Sequence, residues 1–202
     1  VRQSCDSFIR FARGKSHYAE LIPHLKALME MVGMWEAKKA VLAQLKFIVV
    51  NRGNSDGHFL NTVLMGPPGC GKTTLAKHLY TIWACMKVLG TSHSKFTILR
   101  RNDLVAKYLG QTAEKARKCL MKARGGVIFL DEAYMICYSD TDEYGSIALD
   151  TLNEFMSGDG KETIVIIAGY REELETKFFE RNQGLRRRFQ WHFDIEEYTP
   201  IQ

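Results

Sequence analysis

Long hydrophobic runs are absent from this sequence of 202 residues. The apolar stretches at 127–130 and 163–168 fit strands, and no run comes near the roughly 18 residues that a membrane-spanning helix needs. The sequence also lacks an initiator Met, and it has no signal-peptide pattern, because the apolar residues Phe8 and Ile9 lie among Arg and Asp. We therefore expect a soluble intracellular protein without a membrane segment, taken from a longer chain or lacking its original start.

Paired cysteines and a strong charge of one sign are also missing. The five cysteines are odd in number, and no two have the C-x-x-C spacing of a zinc or redox site, so we expect reduced thiols. Lys and Arg total 28 against 23 Asp and Glu, and the only tight basic cluster is at 186–188. This mild positive charge suits small phosphate-bearing molecules as well as it suits nucleic acid.

The remaining composition predicts one α/β domain. Hydrophobic residues make up 46% and charged residues 25%, which excludes a disordered chain. Short apolar runs alternate with helical patterns, and this order is typical of a parallel sheet with crossover helices. We predict a helical N-terminal arm at 1–30, a domain at 31–202 and a loop at 51–57. Its five strands are expected at 61–65, 95–99, 126–130, 163–168 and 190–194, and its crossover helices at 72–88, 112–123, 145–156 and 171–180.

The first chemical motif is Gly-Pro-Pro-Gly-Cys-Gly-Lys-Thr at 66–73, which matches G-x-x-x-x-G-K-[ST] at every fixed position. It follows a predicted strand and precedes a predicted helix, the setting of a phosphate-binding loop; a chance Gly-rich turn is the alternative. In such a loop backbone N–H groups surround the anion, Lys72 contacts phosphate oxygens and the Thr73 hydroxyl coordinates Mg²⁺. The candidate nucleotide-binding residues here are Pro68, Gly69, Cys70, Gly71, Lys72, Thr73 and Thr74.

The second motif is a pair of acids, Asp131 and Glu132, directly after the apolar run at 127–130. A parallel strand would present them at its carboxyl end, where open α/β sheets bind ligands. Alone, such a pair is more often a helix N-cap than a catalytic site, but a phosphate loop in the same chain reverses that preference. We therefore expect Asp131 in the shell of a Mg²⁺ ion and Glu132 as the base that activates water.

These two motifs, GPPGCGKTT at 66–74 and VIFLDEAY at 127–134, resemble those of AAA+ ATPases. More narrowly, they resemble the branch of the CbbX-type red rubisco activases and the sporulation stage V protein K relatives. Further similar stretches occur, in the family's order, at 31–41, 103–112, 143–152 and 182–189. The resemblance extends from about residue 21 to residue 200 and implies the large subdomain of a P-loop NTPase that uses ATP and Mg²⁺.

The resemblance also implies residues that reach the nucleotide from outside the two motifs. Val32 and Gly33 match the Val/Ile-Gly pair that lines the family's adenine pocket. Arg186 and Arg188 match arginines that contact the γ-phosphate of a neighbouring subunit in a ring, which in this family is usually a hexamer. A solvated basic turn or a nucleic-acid patch is the alternative for this cluster.

A client-binding segment is implied as well. Tyr108 and Leu109 match the loop that lines the family's central pore, where an aromatic ring can hold an extended polypeptide. Local packing of Tyr108 against its own helix is the alternative.

Three features depart from the wider family pattern. Where many AAA+ proteins have a polar residue that holds the attacking water, this chain has Ala168-Gly169-Tyr170, so Tyr170 becomes the candidate through its hydroxyl. Cys70 replaces a Thr inside the loop, where only the backbone is needed, so phosphate binding should survive. Finally, the sequence stops just past the fifth predicted strand, and we expect it to lack the family's C-terminal helical lid.

We therefore expect Mg²⁺-dependent ATP hydrolysis that drives the remodelling of a protein client by a homo-oligomeric ring. The first alternative is an AAA+ ATPase that acts on nucleic acid, as clamp loaders and helicase loaders do. It is supported by the net positive charge, but the sequence has no basic arm interleaved with aromatic residues. The second alternative, an ATP-binding scaffold or small-molecule kinase, is disfavoured by the acid pair and the arginine cluster.

Overall fold

The computed structural model describes residues 2–13, 18–51, 57–89, 95–139 and 141–196 of the chain. Most of the loop predicted at 51–57 lies outside these residues. No helix in the described ranges is long and apolar enough to cross a membrane.

A sheet of five parallel strands forms the centre of the described chain, in the order β2-β3-β4-β1-β5. Each strand lies within one residue of its predicted bounds, so the predicted α/β fold is confirmed. The strands are β1 (Thr62–Met65), β2 (Phe96–Leu99), β3 (Val127–Leu130), β4 (Ile164–Gly169) and β5 (Trp191–Asp194).

Helices cover the sheet and precede it. Three lie before β1: α1 (Arg2–Arg13), α2 (Leu21–Glu30) and α3 (Trp35–Val50). The others are α4 (Lys72–Cys85), α5 (Arg101–Leu104), α6 (Thr112–Lys122), α7 (Glu143–Ser157), α8 (Arg171–Glu173) and α9 (Gln183–Arg186). Short 3₁₀ turns occur at Gly57–Leu60, Leu109–Gln111 and Ala133–Ile136.

Two of the predicted helices differ from expectation. The helix predicted at 72–88 ends at Cys85, because Lys87 adopts a left-handed backbone conformation with φ of 56° that no right-handed helix can contain. The helix predicted at 171–180 begins as the single turn α8 and continues as a π-helix, Leu174–Phe179, which keeps Phe178 and Phe179 buried.

The strands divide the hydrophobic core into two layers, because successive side chains of a strand point to opposite faces of the sheet. Leu64 packs with α2, α3 and α4, whereas its neighbours Val63 and Met65 pack with α6, α7 and the π-helix. Every residue of β1, β3 and β4 is buried, as the uninterrupted apolar runs predict for strands covered on both faces. Cys5, Phe8 and Ile9 of α1 join the first layer, so the N-terminal helices pack with the core of the sheet.

The order of the strands decides which loops meet. β1 pairs with β4, and β4 pairs with β3, all in parallel register. The chain segments that leave the carboxyl ends of these three strands therefore lie side by side at one edge of the sheet. They are the glycine-rich loop, the acid pair and Tyr170, and this edge is where ligands bind in open α/β sheets.

Candidate functional site

The glycine-rich loop between β1 and α4 has the backbone of an anion-binding loop. Gly69 and Gly71 have φ of 74° and 88°, the left-handed region that favours glycine. No atom lies within 4 Å of where a side chain at Gly69 would begin, so the loop surface there is open. At Gly66 a Cβ atom would come within 2.6 Å of the Ile195 carbonyl oxygen, which keeps this position free of a side chain. The loop leads directly into the N-terminus of α4, whose free N–H groups and dipole favour an anion.

Lys72, the first residue of α4, places its ammonium group at this loop. Its Nζ atom donates hydrogen bonds to the carbonyl oxygens of Gly66, at 2.8 Å, and Pro67, at 2.6 Å. The Cys70 sulfur lies 3.8 Å from the same nitrogen, and Cys70 itself is buried. A half-buried cation within reach of free backbone N–H groups gives the loop a strong preference for phosphate.

One cavity of about 310 Å³ brings most of the predicted site residues together. It contains residues of the glycine-rich loop, the acid pair and Tyr170, together with two residues that the sequence analysis did not assign. The lining residues are Pro68, Gly69, Gly71, Lys72, Thr73, Thr74, Asp131, Glu132, Tyr134, Gly169 and Tyr170.

The acid pair follows β3 at the side of this cavity. Asp131 is half-buried, and Glu132 is exposed. Glu132 has φ of 50° and ψ of 50°, a left-handed conformation that is uncommon for a residue with a side chain. The chain therefore turns sharply at Glu132, directly after the strand.

The oxygen donors at the cavity fit a magnesium ion. Mg²⁺ in nucleotide sites binds one or two protein oxygens and completes its shell with water and phosphate. The hydroxyl of Thr73 and the carboxylate of Asp131 line the same cavity and supply such a pair. Within the described ranges, no group of three or more His, Cys, Asp or Glu side chains forms a metal cluster of the all-protein kind.

Tyr134 and Tyr170 form an aromatic wall of the cavity. Their ring centroids lie 5.9 Å apart, and the Lys72 Nζ atom lies 5.9 Å from the centroid of the Tyr170 ring. Burial raises the pKa of Tyr134, and the nearby negative charges, led by Glu132, raise it further, so its hydroxyl stays protonated. The sequence analysis missed Tyr134, although it stands in the same apolar-acidic motif as Glu132 and only two residues beyond it.

Val32 and Gly33 do not line this cavity. They line a separate cavity of about 460 Å³ between α1, α2 and the turn that leads into α3. The turn is fixed from inside by Lys38, which is buried and whose Nζ atom donates to the carbonyl oxygens of Met29 and Met31.

The two predicted arginines also lie outside the lining of the cavity that contains Lys72. Arg186 forms an ion pair with Glu175, and its guanidinium lies 5.2 Å from the centroid of the Phe179 ring. Arg188 donates to the Asn153 side-chain oxygen at 2.7 Å and to the Ser157 hydroxyl, both on α7. Arg186 is exposed, whereas Arg188 is half-buried and held against α7.

The predicted pore segment is exposed at its aromatic residue. The side chain of Tyr108 is 69% exposed, which excludes close packing against α6. Leu109 begins the 3₁₀ turn that leads into α6. Lys115 of α6 donates to the carbonyl oxygens of Asn102 and Val105, at 2.6 and 2.7 Å, and so fixes the chain just before Tyr108.

Comparison with known proteins assigns most of this chain to one sequence family. The sequence model of the "ATPase family associated with various cellular activities (AAA)" matches residues 62–196, which span all five strands. A solved structure of the FIGL-1 AAA domain in complex with ADP is 24% identical, covers 70% of this chain and 44% of that chain, and has a TM-score of 0.49.

Curated relatives extend the similarity to the N-terminal helices. The putative cfxQ-like protein R730 of Acanthamoeba polyphaga mimivirus is 34% identical over 177 residues, covering 87% of this chain and 43% of that protein. Stage V sporulation protein K of Bacillus subtilis is 34% identical over 183 residues, covering 88% of this chain and 56% of that protein. The chain spans about half the length of these relatives.

The family match covers well over half of the chain and includes the glycine-rich loop, the acid pair and the arginine cluster. The chain belongs to the AAA family of nucleotide-binding, ATP-hydrolysing enzymes, in the branch of the CfxQ-like and stage V sporulation K proteins.

Proposed function

We propose that the cavity at the carboxyl ends of β1, β3 and β4 binds ATP with Mg²⁺ and hydrolyses it to ADP and phosphate. The observation that carries the proposal is the meeting of Lys72, Thr73, Asp131 and Glu132 in one cavity of about 310 Å³. A cation, a hydroxyl and two carboxylates around an anion-binding loop are the groups that phosphoryl transfer to water requires.

The loop residues would bind the phosphates. The backbone N–H groups of Gly69, Cys70 and Gly71 are free to surround the β-phosphate, with Pro68 shaping the loop and Thr74 at the first turn of α4. Lys72 would exchange its contacts with the loop carbonyls for oxygens of the β- and γ-phosphates. This exchange costs little, because an ammonium group binds a phosphate more strongly than it binds neutral carbonyl oxygens.

Thr73 and Asp131 would hold the magnesium ion. An ion held by these two residues would supply positive charge that offsets the negative charge of the phosphates. The single hydroxyl and single carboxylate leave room for the water and phosphate oxygens that complete its shell.

Glu132 would accept the proton of the attacking water. Its exposed carboxylate lines the cavity and can accept a proton there, which supports this role. Tyr170, across the cavity, would help to position that water through its hydroxyl.

The predicted residues outside this cavity would contact the adenine base or the nucleotide of a neighbouring subunit. We place Val32 and Gly33 against the adenine base, and Arg186 and Arg188 at the γ-phosphate of a neighbouring subunit. A guanidinium that arrives from outside would neutralise charge on the moving phosphoryl group. Arg186 is exposed, so its guanidinium could contact the nucleotide of a neighbouring subunit. The assembly that we propose for this contact is a closed homo-oligomeric ring, a hexamer.

In that ring Tyr108 and Leu109 would face the central pore and bind an extended protein client. The exposed ring of Tyr108 provides a contact that accepts many side chains. ATP turnover would then move the client, which is the protein-remodelling function we propose for the whole protein. Because ATP is an intracellular substrate, we place this function inside the cell.

The decisive experiment is Glu132→Gln in the full-length protein. Loss of the base should lower ATP turnover by roughly 10²–10⁴-fold while ATP binding persists. Phosphate release and equilibrium binding of a fluorescent ATP analogue measure the two quantities. A Glu162→Gln variant, at an exposed acid outside the cavity, is the matched control. Undiminished turnover in Glu132→Gln would remove the role assigned to Glu132, and no hydrolysis by the wild-type protein would reject the function.

A further inference from the structure

Tyr134 is the most buried side-chain hydroxyl donor of the cavity, and the proposed mechanism has not used it. The residue is 9% exposed and lines the cavity together with Lys72, Asp131 and Glu132. It lies in the 3₁₀ turn Ala133–Ile136, which the left-handed backbone of Glu132 directs away from β3. None of the residues that the structure describes forms a hydrogen bond with its hydroxyl.

The position of the Tyr134 ring is fixed by its neighbours. A Cβ atom at Gly169 would lie 2.9 Å from Tyr134 Cδ1 and 3.1 Å from its Cε1, so the ring occupies the space that a side chain on β4 would take. The same hypothetical atom would lie 3.1 Å from Leu174 Cγ, which lies beside the ring. Tyr170 contacts the ring from the cavity side. The absent side chain at Gly169 therefore allows Tyr134 to enter the site.

The Tyr134 hydroxyl has no partner within the described residues and keeps contact with solvent, so a ligand in the cavity can reach it. The phenol is protonated, so what it lacks is an acceptor. The terminal phosphate of a nucleotide in this cavity would bring anionic oxygens, the strongest acceptors available there.

We propose that the Tyr134 hydroxyl donates a hydrogen bond to a γ-phosphate oxygen of bound ATP and is a catalytic residue of this site. The inference rests on the proposed function, since it requires ATP in the cavity. It adds a contact that ADP cannot make, so Tyr134 distinguishes the triphosphate from the diphosphate. The hydrogen bond should strengthen as negative charge shifts among the phosphoryl oxygens during hydrolysis.

The test is Tyr134→Phe in the full-length protein, which removes the hydroxyl and keeps the ring against Gly169. Affinity for a non-hydrolysable ATP analogue should fall about tenfold, affinity for ADP should stay within twofold, and kcat should fall by roughly 10–100-fold. Tyr138→Phe is the matched control, because Tyr138 is exposed and lies outside the cavity lining. If the hydroxyl had only a structural role, Tyr134→Phe would lower the affinities for the ATP analogue and for ADP equally. Such an equal loss of affinity, or an unchanged ratio of the two affinities together with an unchanged kcat, would overturn the proposal.

A second variant, Gly169→Ala, would move the Tyr134 hydroxyl without changing residue 134 itself. Gly169→Ala must displace the ring, so it should lower kcat in the wild-type background and add little in the Tyr134→Phe background. Fully additive losses would contradict the inference. Wild-type turnover together with the Glu132→Gln measurement separates a failure of the role of Tyr134 from a failure of ATP hydrolysis in this cavity. If the wild-type protein hydrolyses ATP and Tyr134→Phe matches it, only the role of Tyr134 fails; if the wild-type protein is inactive, the proposed function fails first.

Discussion

Arg101 binds the carboxylate of Asp142 with both of its terminal nitrogens, at 2.6 and 3.2 Å. The same carboxylate accepts the backbone N–H groups of Gly145, at 2.9 Å, and Tyr138, at 3.0 Å, and so caps the N-terminus of α7. Arg101 also donates to the Ile136 carbonyl oxygen, and its guanidinium lies 4.0 Å from the centroid of the Tyr138 ring. This ion pair joins α5, which precedes the proposed pore segment, to the chain that follows the acid pair.

Asp142→Asn should destabilise the protein at neutral pH. Burial alone would raise the pKa of Asp142, but hydrogen bonds from Arg101 and from two backbone N–H groups outweigh it and lower that pKa. The variant leaves Arg101 half-buried without its counter-charge, so we expect a loss of about 1–3 kcal/mol in the free energy of unfolding at pH 7. Urea denaturation followed by circular dichroism measures this loss.

The pH dependence follows from the direction of the shift. A carboxyl group with a lowered pKa in the folded state stabilises the protein above its unfolded pKa of about 3.9, and this contribution disappears as the pH falls through the folded pKa. The difference between wild type and Asp142→Asn should therefore narrow below about pH 4. Asp159→Asn, whose partner Arg117 is exposed, is the control and should change stability much less. A loss that stays constant down to the acid transition would argue against the ion pair as its cause.

Lys72→Ala should separate nucleotide binding from folding. In the free protein the ammonium group binds loop carbonyl oxygens beside the Cys70 sulfur and the Tyr170 ring, whereas in the proposed complex it would neutralise phosphate charge. We expect affinity for ATP to fall by roughly 10–100-fold with little change in the melting temperature. Calorimetric titration with an ATP analogue gives the affinity. Lys77→Ala, on an exposed face of the same helix, should bind normally, and comparable binding by both variants would refute the role of Lys72.

Arg186 and Arg188 should respond differently to truncation. Arg188→Ala removes two hydrogen bonds to α7 and should cost about 1–2 kcal/mol of stability, whereas Arg186→Ala removes an exposed ion pair and should leave the melting temperature nearly unchanged. Turnover should still fall by up to about 10³-fold in Arg186→Ala if its guanidinium serves a neighbouring subunit.

Mixing variants tests that last point. Subunits with Arg186→Ala keep Glu132, and subunits with Glu132→Gln keep Arg186, so a mixed ring would contain some sites with both groups. We expect the mixture to recover ATPase activity that neither variant has alone. No recovery in assemblies confirmed by light scattering would place Arg186 outside the site between subunits.

The sequence predicted the strands to within one residue because each is a short apolar run that is buried on both faces, as at Ile164–Gly169. It predicted the phosphate loop because all residues of that motif are neighbours in the sequence. Gly69 and Gly71 adopt left-handed backbone conformations, and Lys72 follows them at a fixed spacing. The sequence did not predict Tyr134, because its place in the cavity depends on the missing side chain of Gly169, which lies 35 residues further along the chain. The end of α4 was misplaced because nothing in the local pattern marks the left-handed conformation of Lys87.

Local order along the chain therefore determined the α/β class, the anion-binding loop and the acids that end β3, since backbone geometry and apolar periodicity are properties of neighbouring residues. Only the tertiary structure decided that the acids face the loop, that Tyr134 shares their cavity and that Val32 and Gly33 lie in another one. Those outcomes depend on the order β2-β3-β4-β1-β5, because strand order is set by the packing of distant segments against one another.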